Sequence, residues 1–350
     1  MRPTVTASRF GVLPDGRVVD AYTLAVAEGL RARVLTLGAT LQALEVPDHA
    51  GRLVDVVLGF DTVEAYLASG DYVGVTVGRV AGRIGGSRFT LAGTPYVLDA
   101  GGPAPHLHGG QTGFHQRCWA ATPFEEPAAA GVALRLTSPD GEGGYPGALA
   151  VEVRYTLRAG ALHMTYAATA TRLTPVSLTN HAYFNLAGHD QGDVGGHHLQ
   201  LQAAHYLPVD EALVPLGHRA PVAGTPFDFR RPHALGARRM APHPQLRHAG
   251  GYDHAFVRDP AGPEQPVAVL HDPARGRRLQ VYTASPCLQL YGGQKLQAMG
   301  KGGVTYRPHS GVCLEAMGYP DALNHPAFPA TLAAPDEPYT ATITYALDTV

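Results

Sequence analysis

Ser177-Leu178-Thr179-Asn180-His181-Ala182-Tyr183-Phe184-Asn185-Leu186-Ala187-Gly188 is the stretch whose reading decides the fold. Read with the period of two of a β-strand, it splits into unlike faces. Leu178, Ala182, Phe184 and Leu186 fall on one side, interrupted by Asn180. Ser177, Thr179, His181, Tyr183 and Asn185 fall on the other. A strand that merely turned its second face to water would be served by Ser or Lys. This one lines up hydroxyls, an imidazole and an amide, groups that both donate and accept hydrogen bonds. Such a lining suits a polyhydroxy ligand, and an ordinary solvated strand face is the plain alternative.

Alternation continues on both sides of this stretch. Before it, Val132–Thr137, Leu149–Leu157 and the run from Ala161 to Tyr166 alternate, separated by the turn signals Pro139-Asp140-Gly141 and Arg158-Ala159-Gly160. They read as an antiparallel meander. After it come His197–Gln202, Gly251–Phe256, Arg278–Thr283, Cys287–Gly292, Gly311–Met317 and Tyr339–Leu347 as further strands. His197 and His198 read as surface residues, and residues 217–250 as loop. In the first hundred residues Arg31–Gly38, Ala39–Val46 and Leu53–Leu58 are candidate strands. Asp61–Leu67 is the best short helix, with Asp61 as its cap and Glu64 three residues on. No strand–helix alternation repeats, which argues against a doubly wound parallel sheet. No repeat or linker divides the chain. The expectation is an all-β protein, one large antiparallel β-sandwich over residues 1–350 with few short helices.

Composition narrows the function. Of 350 residues 45% are apolar, enough for a sizeable core, and the formal net charge of −2 offers no basic patch for nucleic acid. The 42 glycines and 29 prolines are spread between short apolar runs and mark turns. Cys118, Cys287 and Cys313 form no C-x-x-C pair and no disulfide framework. No signal-peptide pattern opens the chain and no apolar run is long enough for a membrane span. The expected setting is the cytoplasm. The two lysines, Lys295 and Lys301, both sit in a Gly-rich loop, a poor place for the desolvated amine of Schiff-base chemistry.

Three segments carry candidate chemistry. Gly78-Arg79-Val80-Ala81-Gly82-Arg83-Ile84-Gly85-Gly86 is Gly-rich but has neither the Walker nor the dinucleotide spacing. Its glycines let the backbone turn and carry Arg79 or Arg83 inward. His106-Leu107-His108-Gly109-Gly110 offers two histidines on one strand face, as metal ligands or as hydrogen-bonding groups, with glycines that would let a ligand approach the backbone. Hydrogen bonding is the favoured reading, with no metal. Glu315 is a lone carboxylate in the apolar run Gly311–Met317, where burial is costly unless it is paired, hydrogen-bonded or protonated.

Taken in order, these segments resemble the aldose 1-epimerase family. The resemblance rests on Gly78–Ile84, His106–Gly110, Thr179–Leu186, Tyr206–Asp210, Gly224–Phe229, Gly251–His254 and Leu314–Asp321, spaced correctly from about residue 8 to the C-terminus. It implies the large sandwich of the galactose mutarotase-like folds, with an open cleft on a concave sheet. It also implies cofactor-free interconversion of the α and β anomers of a free aldose such as galactose or glucose. Carried over by position, Glu315 is the general base on the C1 hydroxyl and His181 the general acid at the ring oxygen. Arg83, His108, Asp253 and Gln289 hold the sugar.

Two positions depart from the pattern. Gly82 stands where many members have Asn, and Gly293-Gln294 stands where Gly-Asn is common after the strand of Gln289. The expected partner is a small aldose, with no nucleic acid and no membrane, in a monomer or homodimer. Three alternatives remain. One is a hexose-6-phosphate 1-epimerase, for which Arg230, Arg231, Arg238 and Arg239 would supply a phosphate pocket. The second is a non-catalytic sugar-binding protein. The third is a metal-dependent hydrolase using His106, His108 and His181.

Overall fold

The computed structural model describes residues 2–27, 29–99, 104–260, 262 and 264–350. Its strands form antiparallel sheets, as the alternation predicts. The meander Ala129–Ser138, Leu149–Arg158 and Ala161–Ala170 is the middle of a nine-stranded sheet. That sheet continues through Tyr339–Thr349, Arg277–Thr283, Ala268–His271 and His198–Leu201. A six-stranded sheet is built on three central strands, Asp253–Val257, Cys287–Tyr291 and Val312–Met317. A third, five-stranded sheet takes the first strands in chain order, from Thr4–Val12 to Leu53–Asp55.

The core lies between the sheets. One cluster draws Tyr22 and Val34 from the five-stranded sheet, Leu134, Val153 and Tyr345 from the nine-stranded, and Leu288, Leu290 and Leu314 from the six-stranded. Burying each such aliphatic side chain contributes roughly 1.5–3 kcal/mol. Every residue of Val312–Met317 is buried. Period two then gives the strand two buried faces. Val312, Leu314 and Ala316 pack into this core. Cys313, Glu315 and Met317 turn the other way, under the loops that cover the sheet.

The opening stretch folds differently from one continuous strand. Thr179–Asn180 pairs with Thr76–Val77, and Tyr183–Phe184 pairs with Val312–Cys313. Between them the chain changes sheets. His181 N–H donates to the Val75 carbonyl, His181 O accepts from Gly74 N–H, and the Asn180 side chain accepts from Ala182 N–H at 3.1 Å. The polar face is buried, not solvated, but most of it serves the backbone. The Asn185 amide donates to the carbonyls of Gly192 and Ser310, and Ser177 Oγ accepts from Gly318 N–H. His181 and Tyr183 alone of that face reach the cleft described below.

Four local expectations need correction. The short helix runs Val63–Ala68 and its cap is Thr62, whose Oγ1 accepts from Ala65 N–H at 3.2 Å; Asp61 instead takes Gly302 N–H at 2.7 Å. Residues 217–250 are not all loop. Pro244–Ala249 is a helix with Pro at its start, His243 as cap and Gly250 in the left-handed conformation at its end. His197 is not on the surface: it is buried and its Nε2 accepts from Leu186 N–H at 2.9 Å.

Lys301 is the fourth. Its loop folds back over the five-stranded sheet, so the ammonium is buried against the Asp55 carboxylate and the carbonyls of Gln42 and Val57. Burial lowers its pKa. All three N–H donors of Lys301 are taken by these oxygens.

Candidate active site

The covered face of the six-stranded sheet holds a cleft of about 170 Å³. Its floor is the three central strands. Glu315 stands directly across from Gln289, and Asp253 across from Tyr291. Because these residues share the face with Cys313, Ala255 and Met317, sheet register alone brings two carboxylates and an amide together. The walls come from elsewhere in the chain. Arg83 and Leu107 are cross-strand neighbours in a two-stranded ribbon, which sets His108 beside the sheet.

The carboxylates are arranged differently. Asp253 is fully engaged: Oδ1 accepts from the Gln289 amide at 2.6 Å and Oδ2 from Arg83 at 3.3 Å. Glu315 is 2% exposed, and its Oε2 has no hydrogen-bond partner among the described residues. Burial, then the charge of Asp253, push its pKa well up, while Arg83 pulls the other way. His181 Nε2 lies 3.6 Å from Glu315 Oε1. That imidazole is 4% exposed, and burial pushes its pKa down to about 4. The two groups therefore favour sharing one proton as a neutral pair, and exchange between them is the chemistry the arrangement allows.

His108 is also buried and held neutral, first by burial and then by His181 and Arg83. Its Nδ1 accepts from Gly82 N–H at 3.2 Å, and its own N–H donates to Gly82 O at 3.1 Å. With Nδ1 accepting, the ring hydrogen sits on Nε2, so His108 is a hydrogen-bond donor. Ligand atoms of His108, His181 and Glu315 lie within 4.8 Å of one another, close enough for one cation. The Gly82 bond opposes that use, since Nδ1 is taken and Nε2 carries hydrogen.

Of the sequence-predicted site residues, Arg83, His108, His181, Asp253, Gln289 and Glu315 all line the one cleft. Both arginines of the Gly-rich stretch are drawn in, but only Arg83 faces the cleft. Arg79 is 2% exposed, and its guanidinium donates to Ser138 Oγ, Thr174 Oγ1 and the carbonyls of Pro146 and Gly147. His106 faces away, 3.1 Å from Asp99 through Nδ1 and 2.9 Å from the Tyr145 hydroxyl through Nε2. This removes the His106 ligand of the metal-hydrolase alternative. Gly109 serves packing and not ligand approach, because a Cβ there would meet Gly78 O at 1.9 Å. None of Arg230, Arg231, Arg238 and Arg239 lines the cleft. Arg230 pairs with Asp228, Arg239 with Asp193, and Arg238 lies over Phe229.

The two departures from the family pattern have local causes. Gly82 has φ +83°, and a Cβ there would meet the Pro320 ring at 2.9 Å. Gln294 points its amide at the carbonyls of Ala249 and Tyr252, at 3.0 and 3.2 Å, and ties two loops together.

Sequence reading missed Asp71, Tyr72 and Tyr291. Tyr72 has φ +55° and lays its ring 4.7 Å from both His108 and His115 and 5.9 Å from His181. Its one sequence signal is an aromatic in a Gly-bounded loop, Gly70 to Gly74, which is too common to single out. It also missed what holds the rim at Val209. Gln245, on the short helix, accepts from Val209 N–H and donates to Val209 O.

The family model described as aldose 1-epimerase matches residues 20–346. A galactose mutarotase of Rattus norvegicus is 44% identical over 342 residues, 97% of each chain. An aldose 1-epimerase of Escherichia coli K12 is 36% identical, covering 95% of this chain and 96% of the other. The crystal structure of a galactose 1-epimerase from Lactobacillus acidophilus superposes with a TM-score of 0.87 at 29% identity, covering 99% of each chain.

Proposed function

The chain belongs to the aldose 1-epimerase family, and from that premise we propose how it interconverts the α and β anomers of a free aldose such as galactose or glucose. Glu315 is the general base and His181 the general acid. Arg83, His108, Asp253 and Gln289 hold the sugar's hydroxyls and ring oxygen. The observation that carries this reading is the 3.6 Å approach of His181 Nε2 to Glu315 Oε1, both buried and both lining the one cleft of about 170 Å³.

The proton count follows from the chemistry. Glu315 takes the proton of the C1 hydroxyl, the C1–O5 bond breaks, and O5 takes a proton from His181 Nε2. Rotation about C1–C2 turns the aldehyde over, and the same two transfers run backward to close the other anomer. A neutral imidazole would have to leave as imidazolate, so His181 gives its proton as imidazolium, with Glu315 as carboxylate. That ion pair holds the same single proton as the neutral pair that burial favours. It is the less stable arrangement, ready to hand both charges to the substrate. Each partner contributes roughly 10²–10⁴-fold. The Nε2–H of His108 and the guanidinium of Arg83 supply donors, while the Asp253 carboxylate supplies acceptors.

Polarimetry of freshly dissolved α-D-galactose and α-D-glucose, with protein and EDTA present, tests the reading. Faster approach to the same final rotation is expected. No acceleration on either sugar overturns it.

The same reading takes one small sugar as partner, without nucleic acid, in a cytoplasmic monomer or homodimer. It also takes residues 1–350 as one domain, supported by the single cluster that Tyr22, Leu134, Leu288 and Tyr345 share. Among the described residues no helix is long and apolar enough to cross a membrane.

A further inference from the structure

His181 has two ring nitrogens, and the reaction uses only Nε2. The other, Nδ1, lies 3.6 Å from Cys313 Sγ, and the carbonyl of His181 itself also favours the charged ring, by less than burial opposes it. Cys313 is fully buried and is the cross-strand neighbour of both Tyr183 and Tyr291. Its side chain shares the cleft face of the strand with Glu315. The sheet therefore presses a sulfur against one side of the imidazole and a carboxylate against the other.

Proton bookkeeping decides which way the sulfur contact runs. An imidazolium carries hydrogen on both nitrogens. When Nε2 gives its proton to the ring oxygen, Nδ1 must keep its own, and when the ring closes Nε2 takes a proton back. Through the whole cycle Nδ1 bears hydrogen and needs an acceptor. The resting neutral pair needs the same tautomer, because Nε2 must hold a lone pair toward a protonated Glu315. The opposite tautomer would put hydrogen on Nε2 against the carboxyl and leave the cycle to start from imidazolate.

We propose that Cys313 is a positioning residue whose sulfur accepts the Nδ1–H of His181, fixing the tautomer that leaves Nε2 free to trade its proton with Glu315 and the sugar. This rests on the acid role of His181 given above. The choice of sulfur has a second consequence. A carboxylate or carbonyl behind an imidazole raises its basicity, as in metal-ligating histidines. A thiol sulfur is a weak acceptor. It holds the hydrogen in place while adding little to the stability of the imidazolium, and burial outweighs the carbonyl of His181 itself, so the Nε2 proton stays acidic enough to reach a ring oxygen. Burial keeps the thiol itself protonated, helped by the nearby charges of Glu315 and Asp253. Cys313 therefore adds no negative charge of its own.

The test is ¹⁵N NMR of the His181 ring in the full chain at pH 7, free of sugar, together with steady-state mutarotation kinetics. In the wild type we expect a protonated Nδ1 and an unprotonated Nε2. Cys313→Ser, whose hydroxyl oxygen also accepts, keeps that spectrum and most of kcat. Cys313→Ala is expected to give averaged tautomers and to lower kcat about ten- to a hundredfold with KM within about twofold, the pattern of lost alignment and not of lost binding. A wild-type spectrum with hydrogen on Nε2 overturns the proposal without any variant. So does a folded Cys313→Ala chain with the wild-type spectrum and kcat. A wild-type chain that shows the expected tautomer but does not accelerate mutarotation overturns the acid role of His181, not the sulfur contact.

Discussion

Gln289 and Glu315 face each other across adjacent antiparallel strands, yet the Gln289 amide turns to Asp253, 2.6 Å away, and leaves Glu315 Oε2 without a partner among the described residues. A buried carboxyl kept this way is costly to the fold. Glu315→Gln is therefore expected to remove most activity, roughly 10²–10⁴-fold, while the thermal midpoint stays level or rises. His181→Asn should lose activity to a similar degree and stay folded. Polarimetry paired with a thermal melt checks both, and wild-type turnover in either variant would take that residue out of the acid–base pair.

The pair should titrate as a unit. The working state carries one proton between Glu315 and His181. On the acid side activity falls as His181 takes a second proton, near pH 4 in the free protein. On the alkaline side it falls as Glu315, whose pKa burial and Asp253 raise, loses its proton. Asp253→Asn removes that repulsion, so the alkaline limb of kcat/KM should move to lower pH. A limb that stays in place or moves up contradicts the assignment. KM should also rise, since Arg83 loses its partner.

Fold stability has its own pH signature. His115, His181 and His197 are held at about 4 and His254 at about 3, each by burial first. Unfolded histidines titrate near 6.5. The unfolded chain thus binds more protons below 6.5, and stability falls as pH drops from about 6.5 toward 4. Each group takes away up to about 1.4 kcal/mol per pH unit in that window. Glu315, with a raised pKa, opposes them. Urea midpoints at pH 7.5 and 5 should differ clearly, with the lower value at pH 5.

Gly82, in the cleft lining, leaves little room for a side chain. Any side chain there needs φ +83° and must displace the Pro320 ring. Gly82→Ala is expected to cost about 1–2 kcal/mol or more. It should also weaken sugar binding, because both Gly82 backbone groups hold His108. A urea melt and a KM measurement check the two effects. Unchanged values would mean that the loop at Pro320 yields easily.

The cationic surface offers a contrast. Arg230→Ala and Arg239→Ala each break a pair with an aspartate outside the cleft. Turnover of galactose should stay within about twofold, since surface pairs of this kind contribute little. Glucose 6-phosphate should not be preferred to glucose. A preference for the phosphate that either variant abolishes would restore the sugar-phosphate reading.

Period two exposed much of this architecture in the sequence, because a strand's neighbours are dictated by its own alternation. The antiparallel meander and the buried Glu315 were both readable that way. The polar face from Ser177 to Asn185 was readable as polar but not in its use. Whether an Asn meets a sugar or a carbonyl depends on chain far away in sequence, here Ser310 for Asn185. The same distance hid the burial of Lys301, whose partners Asp55 and Gln42 lie some 250 residues earlier. Tyr72 escaped notice because its role comes from a loop conformation, not from a pattern.

The two-faced strand Val312–Met317 ties the precision of the chemistry to the quality of the interior. Leu314 and Glu315 are consecutive, one sunk among the sheets and one aimed at the sugar. A Leu314→Ala vacancy, or any drift of the sheets, is transmitted along one backbone to the carboxylate that must meet the C1 hydroxyl. Turnover on a small sugar thereby acts as a strain gauge for the centre of the molecule, and variants that never touch the cleft should register there first.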